Sequence, residues 1–392
     1  MRDDATAASE AGPASARGGY GPSAPALVSL RVTRSRRPVA WSGVLVGAIV
    51  VLLAALPYLV GLGTTSTLTN VFVVLAMATM WNLLAGYAGL ISVGQQAFVG
   101  LGAYFVLILA QRGLHPFGAI PVAALLCALV AAPIFWVVFR LRGGYFAIAT
   151  WVVADACELT ISQFASLGGG TGIGLPGLSG VNPTDLITYT YWAALAVGVL
   201  SVAFVYLLLR SRMGLVLTAV RDDEIGARSL GSRVTLARGV VFIAAALGCG
   251  AAGAVYVISQ LNVQPTAAFS IGWAADMILV TIIGGIGSIE GPIIGTIVFF
   301  ALQQALAGYG PWYLILLGLI AIVIAIWAPR GIWGMISDRL HVRPFPVGYW
   351  LWLPEGPGPG RARRGASAAD GSGGGGPDGP LDNADAAAGS PG

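Results

Sequence analysis

Three carboxylates lie inside apolar runs of this sequence, where acidic side chains are costly. Asp155 and Glu158, three residues apart, share one face of a helix over 144–164, and Asp276 sits on a later apolar helix. A charge held in hydrocarbon costs about 3 kcal/mol, so these groups should face a bundle interior or a watery path. Two chemistries fit: polar lining or proton carriage along a translocation route, and hydrogen bonding to Asn70, Asn82 or Gln163 that ties helices together. Ser92, Gln95 and Gln96 form a second polar group just inside another apolar segment. Their hydroxyl and carboxamides can hydrogen-bond a passing amino acid or glue neighbouring helices. Ser288, in Gly284-Gly-Ile-Gly-Ser288, is taken with them as a candidate for the path.

A different kind of chemistry is suggested by Arg221-Asp-Asp-Glu-Ile-Gly-Ala-Arg-Ser-Leu-Gly231. It reads as a short helix with Asp222 and Asp223 at its N-terminus, Glu224 and Arg228 as an i,i+4 pair, and Gly231 as its stop. A helix this short is marginal in water and needs something to pack on. Membrane headgroups and a soluble partner are the two candidates. Gly168-Gly-Gly-Thr-Gly-Ile-Gly174 has the glycine density of a phosphate loop, yet the chain contains no Lys to complete one. It reads as a connector, or as a contact for an external binding protein. His115 and His341 fall outside the apolar segments, so an intramembrane serine hydrolase has no base. Cys127, Cys157 and Cys249 lie in apolar stretches without CxxC spacing, which supports neither disulfides nor zinc. No catalytic or metal constellation emerges.

The elements that must hold these residues follow from composition. Of 392 residues 56% are hydrophobic and only 10% charged, far from the roughly 25% charged residues of soluble proteins. The expected fold class is an all-α membrane protein, a polytopic helical bundle of about ten transmembrane segments. Hydropathy places them near 43–62, 67–86, 90–111, 117–139, 144–164, 190–209, 238–260, 268–285, 292–307 and 311–328. Gly284, Gly285, Gly287, Gly291 and Pro292 interrupt the stretch from 268 to 307, so broken or re-entrant helices are the alternative to two full spans there. The net charge of +4 comes from arginines beside apolar runs rather than in one patch, which argues for membrane topology and against a nucleic-acid partner. Ten spans with a cytoplasmic N-terminus put every arginine cluster outside the spans on the inner face, leaving only Arg112 outside the cell. Both termini are then cytoplasmic. Residues 1–40 and 355–392, rich in Ala, Gly, Pro and Ser, are expected to be disordered tails around a transmembrane domain at 41–335, with its long inner loop at 210–237. An interfacial segment at 336–354 carries Trp350 and Trp352. A weak internal echo links Gly86–Gly100 with Gly284–Gly295, and corresponding positions of two repeats are where transporters tend to place a substrate path.

Six motifs, taken in order, resemble one family. They are Trp81-Asn-Leu-Leu-Ala-Gly-Tyr-Ala-Gly-Leu, Ser92-Val-Gly-Gln-Gln-Ala-Phe-Val-Gly-Leu-Gly-Ala-Tyr104, Leu141-Arg-Gly-Gly-Tyr-Phe-Ala-Ile, the 221–231 motif, Gly284-Gly-Ile-Gly-Ser and Pro329-Arg-Gly. Over about 67–335 the chain resembles the permeases of branched-chain amino acid ATP-binding-cassette importers, of the LivM type. The resemblance implies a non-enzymatic subunit of the cell membrane. Its implied partners are a homologous second permease, two ATP-binding subunits that use ATP and Mg, and an extracytoplasmic solute-binding protein. It assigns Arg221, Asp222, Asp223, Glu224, Ile225, Ala227, Arg228 and Gly231 to a coupling helix that inserts into an ATPase groove. Here Ile225-Gly226-Ala227 stands where many importers carry Glu-Ala-Ala. An importer of the same type for urea or short amides, and a stand-alone proton-coupled transporter using Asp155, Glu158 or Asp276, are the competing readings.

Overall fold

Long apolar stretches leave their backbone polar groups no water to bond, so they must satisfy them internally as helices. The computed structural model describes residues 47–340 apart from 142, 179, 230, 232, 307, 309–311 and 329, and within them most of the apolar sequence is helical; the pairs 32–33 and 350–351 are described as well. In the smaller of two compact units, strand β1 (Val32–Thr33) pairs antiparallel with Trp350–Leu351, so Trp350 is a strand residue. The rest of both expected tails, with Trp352 and His341, lies outside the described residues.

The main unit opens with α1 (47–55) and α2 (Leu62–Asn82), which runs on into a π-helical turn at Leu83–Tyr87. Then come α3 (Gln96–Gln111), α4 (Pro116–Val138), α5 (Gly144–Ser162) and α6 (Pro183–Arg210). Strand β2 (Ile173–Gly174), in the glycine-rich 168–174 loop, pairs with β3 (Asn262–Val263). Two short helices, α7 (Arg212–Asp222) and α8 (Glu224–Ser229), precede the long α9 (Val234–Gln260). The chain continues through α10 (Pro265–Ala268), α11 (Ile271–Gly284), α12 (Glu290–Leu306), α13 (Trp312–Trp327) and α14 (Gly331–Leu340), and strand β4 (Trp350–Leu351) partners β1.

Among the described residues, six helices are long and apolar enough to cross a membrane: Leu62–Tyr87, Pro116–Val138, Gly144–Ser162, Pro183–Arg210, Val234–Gln260 and Pro265–Gly284. Gly47–Tyr58, Gln96–Gln111, Glu290–Leu306 and Ile315–Ile324 are apolar but shorter. The ten hydropathy segments thus correspond to helices of two lengths, and six rather than ten meet the length of a full span.

The centre is built by α2 and α9. Helix α2 packs on α6, α9, α11 and α12, whereas α9 packs on α3, α4 and α2. Glycines set the spacing between α3 and α9. A Cβ on Gly102 would strike the Gly250 carbonyl, and one on Gly253 the Val99 carbonyl. Small residues at such crossings let backbones approach where no hydrophobic drive exists. At one end Tyr191 Oη donates to Leu53 O at 2.6 Å and Trp192 Nε1 to Ala54 O at 3.0 Å, tying α6 to α1.

Candidate functional site

The segment from Ala88 to Gln95 is not helical, which corrects the span expected from residue 90. Leu90, Ile91 and Val93 are apolar, so hydropathy runs across a break that the backbone makes. Gly89 adopts a left-handed conformation (φ 66°) at the start of the break. Three bonds shape the stretch beyond Gly89. Trp81 Nε1 donates to Ser92 O at 2.7 Å, Gly94 N–H donates to Ser92 Oγ at 3.3 Å, and Val93 N–H donates to Thr150 Oγ1 at 3.3 Å. A Cβ on Gly94 would strike the Thr150 carbonyl, so α5 closes directly over this segment.

Ser92, Gln95 and Gln96 are brought together there, and each is 0% exposed. Gln95 Nε2 donates to Ser92 Oγ at 3.4 Å. Neither the carboxamide of Gln96 nor Oε1 of Gln95 has a partner; Thr79 Oγ1 and Tyr104 Oη share this state among the described residues. Buried polar groups are nearly always satisfied, so this carboxamide at the head of α3 has a donor and an acceptor left to offer a further hydrogen-bonding group.

Asp155, Glu158 and Asp276 are not part of this group of bonded residues. Asp155 is exposed and Glu158 half-buried on the open side of α5, and Asp276 is half-buried on α11. Among the described residues, the hydrogen bonds expected from Asn70, Asn82 or Gln163 are not made. Asn82 instead serves the 285–289 loop, accepting from Gly287 N–H through Oδ1 at 2.8 Å and donating through Nδ2 to Ser288 O at 2.8 Å. A Cβ on Gly86 would lie 2.6 Å from Gly287 N. The two glycine motifs of the internal echo therefore meet. Ser288 Oγ donates to Gly285 O at 2.9 Å and accepts from Gly291 N–H at 3.1 Å, which engages that hydroxyl in the turn.

The 221–231 motif is two pieces, not one capped helix. Arg221 and Asp222 finish α7, the backbone extends at Asp223 (φ −151°, ψ 102°), and α8 begins at Glu224. Asp223 alone caps α8, with Oδ1 accepting from Ile225 and Gly226 N–H at 3.0 Å each. The expected Glu224–Arg228 pair forms at 2.7 Å. Gly231, at φ 79°, closes the turn by donating to Arg228 O. Ala227 is buried against Val220 and Val234, and Ile225 stands 79% exposed. A groove of about 690 Å³ opens beside α8 between Phe135, Arg228, Arg233, Val240 and Ile243.

The family profile described as branched-chain amino acid transport system permease component matches residues 62–325. The chain belongs to that family. The permease is 27% identical over 325 residues to the high-affinity branched-chain amino acid transport system permease protein LivM of Escherichia coli K12, covering 76% of each chain. The protein of the same name from Salmonella typhimurium LT2 is 26% identical with the same coverage. No solved structure matches. Membership makes the chain a multi-pass membrane subunit of a transporter, not an enzyme.

Sequence reading of the permease passes over Arg238, which sits one turn inside the apolar α9 and falls in no arginine cluster. Its guanidinium donates through Nε to Ala88 O at 3.2 Å and through Nη1 to Glu224 Oε2 at 3.1 Å. Arg221 Nη1 likewise donates to Gly86 O at 3.1 Å. An arginine at the very start of an apolar span is the signal that sequence offers, because a charge there needs a partner.

Proposed function

We propose that this permease is the membrane subunit of an ATP-driven importer for branched-chain or other hydrophobic amino acids, coupled through α7 and α8 to separate ATPase subunits. The observation that carries the reading is α8 itself. It is a one-and-a-half-turn helix that presents the bare side chain of Ile225 while its opposite side is fixed by Ala227 and Glu224. A helix so short holds its shape only when docked, and an apolar residue presented beside a salt-bridged frame suits a protein groove. The partners of this reading are a second permease, two ATPase subunits that use ATP and Mg, and an extracytoplasmic binding protein; the permease binds no cofactor of its own. The subunit resides in the cell membrane with both termini cytoplasmic, and 210–237 is its coupling loop. Ser92, Gln95 and Gln96 then lie on the solute path, their unbonded carboxamide groups offering hydrogen bonds to the ammonium or carboxylate of an amino acid. The related LivM proteins are named for branched-chain amino acid transport, which supports that solute class.

Gly231→Asp, or deletion of 222–230, should abolish ATP-dependent uptake while the protein still inserts. A side chain at φ 79° is strained by about 1–2 kcal/mol and redirects the exit from α8. Unchanged uptake in either variant would sink the coupling assignment. The carboxylates of Asp155, Glu158 and Asp276, which pair with no cation among the described residues, keep one competitor in play, a proton-coupled carrier. Uptake that collapses with a protonophore yet proceeds without any ATPase would establish it instead.

A further inference from the structure

The two arginines that reach the end of α2 differ from the other basic residues near α8. Arg228 pairs with Glu224 and its side chain is 48% exposed, whereas that of Arg238 is 13% exposed and forks between two elements. One branch holds Glu224, the first residue of α8. The other holds the carbonyl of Ala88, the first residue after the π-helical turn of α2. Arg221, in the last turn of α7, holds the carbonyl of Gly86 two residues earlier, and its guanidinium lies 3.0 Å from where a Cβ on Gly287 would sit. Both cations therefore face the carbonyl end of a helix, where unsatisfied acceptors and the helix dipole favour positive charge. We propose that Arg238, supported by Arg221, is the positioning residue that transmits displacement of α8 to the break between α2 and α3.

The physical case rests on stiffness and on the residues next along the chain. A guanidinium is planar, so its two hydrogen bonds fix the separation of Glu224 and Ala88 rather than merely attracting them. The Arg238 side chain is largely buried, and charge-assisted bonds made from such a setting are strong. A shift of α8 thus carries Ala88 with it. Immediately beyond stands Gly89, left-handed and with only Arg238 Nη2, at 4.0 Å, within reach of a notional Cβ, so the backbone can pivot there. The pivot leads into Ser92, Gln95 and Gln96. On the other side Asn82 clamps the Gly287–Ser288 loop, so the same movement is felt by the second glycine motif. The relay rests on the coupling role proposed above for α8 and adds the route inward.

The test uses the assembled transporter in lipid nanodiscs. Arg238→Lys keeps a cation for Glu224 but cannot fork to both partners; Glu224→Gln keeps an acceptor but removes the charge. Arg140→Gln, which alters an arginine stacked on Trp136, is the control. Three quantities are read: co-purification of the ATPase subunits, solute moved per ATP hydrolysed, and hydrogen exchange of residues 88–95 with and without ATP plus vanadate. We expect both relay variants to assemble and hydrolyse ATP, with solute moved per ATP reduced about tenfold, the scale of one charge-assisted hydrogen bond. The nucleotide-dependent change in exchange at 88–95 should vanish in both and persist in the control. Retention of that change and of wild-type coupling in Arg238→Lys overturns the relay and leaves the importer reading intact. Failure of the unmodified permease to recruit any ATPase overturns the importer reading, and the relay with it.

Discussion

At Gln96 the effects of one substitution on stability and on uptake can be read apart. A buried carboxamide with both polar atoms unbonded costs about 1–3 kcal/mol, and burial of a similar apolar shape removes that cost. Gln96→Met, close in length and flexible, should leave the thermal midpoint of the purified protein unchanged or raised, while uptake falls by at least about tenfold if the amide meets the solute. Thermal denaturation followed by gel filtration, beside uptake in vesicles, reads both. A lowered midpoint with intact uptake would make Gln96 structural. Asn82 should behave oppositely. Its two bonds reach backbone atoms of a loop that a Cβ on Gly86 would crowd, so Asn82→Ala should destabilise by about 1 kcal/mol, two membrane hydrogen bonds, and loosen 285–288 to proteolysis. At this scale the sequence is half legible. Side-chain types mark Ser92, Gln95 and Gln96 as polar oddities in an apolar run, but bond partners are three-dimensional. Asn82, expected to serve carboxylates, is engaged by Gly287 and Ser288, and Arg238 escapes notice because one charge at a span edge does not disturb hydropathy.

Among elements, the contact of α3 with α9 offers a direct test of the packing. Gly102 and Gly253 face carbonyls with no room for a methyl group, whereas Gly63, in the first turn of α2, has nothing within 4 Å of its notional Cβ. Gly253→Val should separate the helices, and the permease should then fail to survive detergent extraction at temperatures that spare the parent. Gly63→Ala should gain up to about 1 kcal/mol from helix propensity alone. Fluorescence-detected gel filtration after a temperature ramp compares them; similar midpoints for the two variants would show that α3 and α9 do not pack this closely. The helices themselves are legible because apolar periodic runs can satisfy their backbone in no other way. Their interruptions are not. The π-helical turn at Leu83–Tyr87 and the extended residue Asp223 arise from local bonds and tertiary contacts, and neither carries a Pro to announce it.

For the molecule as a whole, the bare sides of its helices are of two kinds. Helix α4 exposes Val122, Leu125, Leu129, Trp136 and Val137, an apolar stripe suited to acyl chains. Helix α5 exposes Trp151, Val152 and Leu159 but also Asp155, with Glu158 half-buried beside it. A carboxylate facing lipid costs about 3 kcal/mol, and α5 turns Phe146, Thr150 and Ala154, flanked by Val153, Cys157 and Ile161, toward the bundle. The open side of α5 is therefore expected to be covered in the working transporter by another subunit or by the aqueous path, while that of α4 meets lipid. Bimane placed at Leu159→Cys or Leu125→Cys, in bilayers doped with nitroxide lipid, distinguishes them. Strong quenching at 125 with protection at 159 in the assembled transporter is the expected result. Equal quenching at both would place α5 against lipid, and Asp155 would then have to be neutral or snorkelling to the interface rather than lining any path. Composition alone announces the membrane and the bundle, but not which side of α5 is left bare, because that depends on where Thr150 meets Gly94, a contact between segments that sequence spacing does not encode.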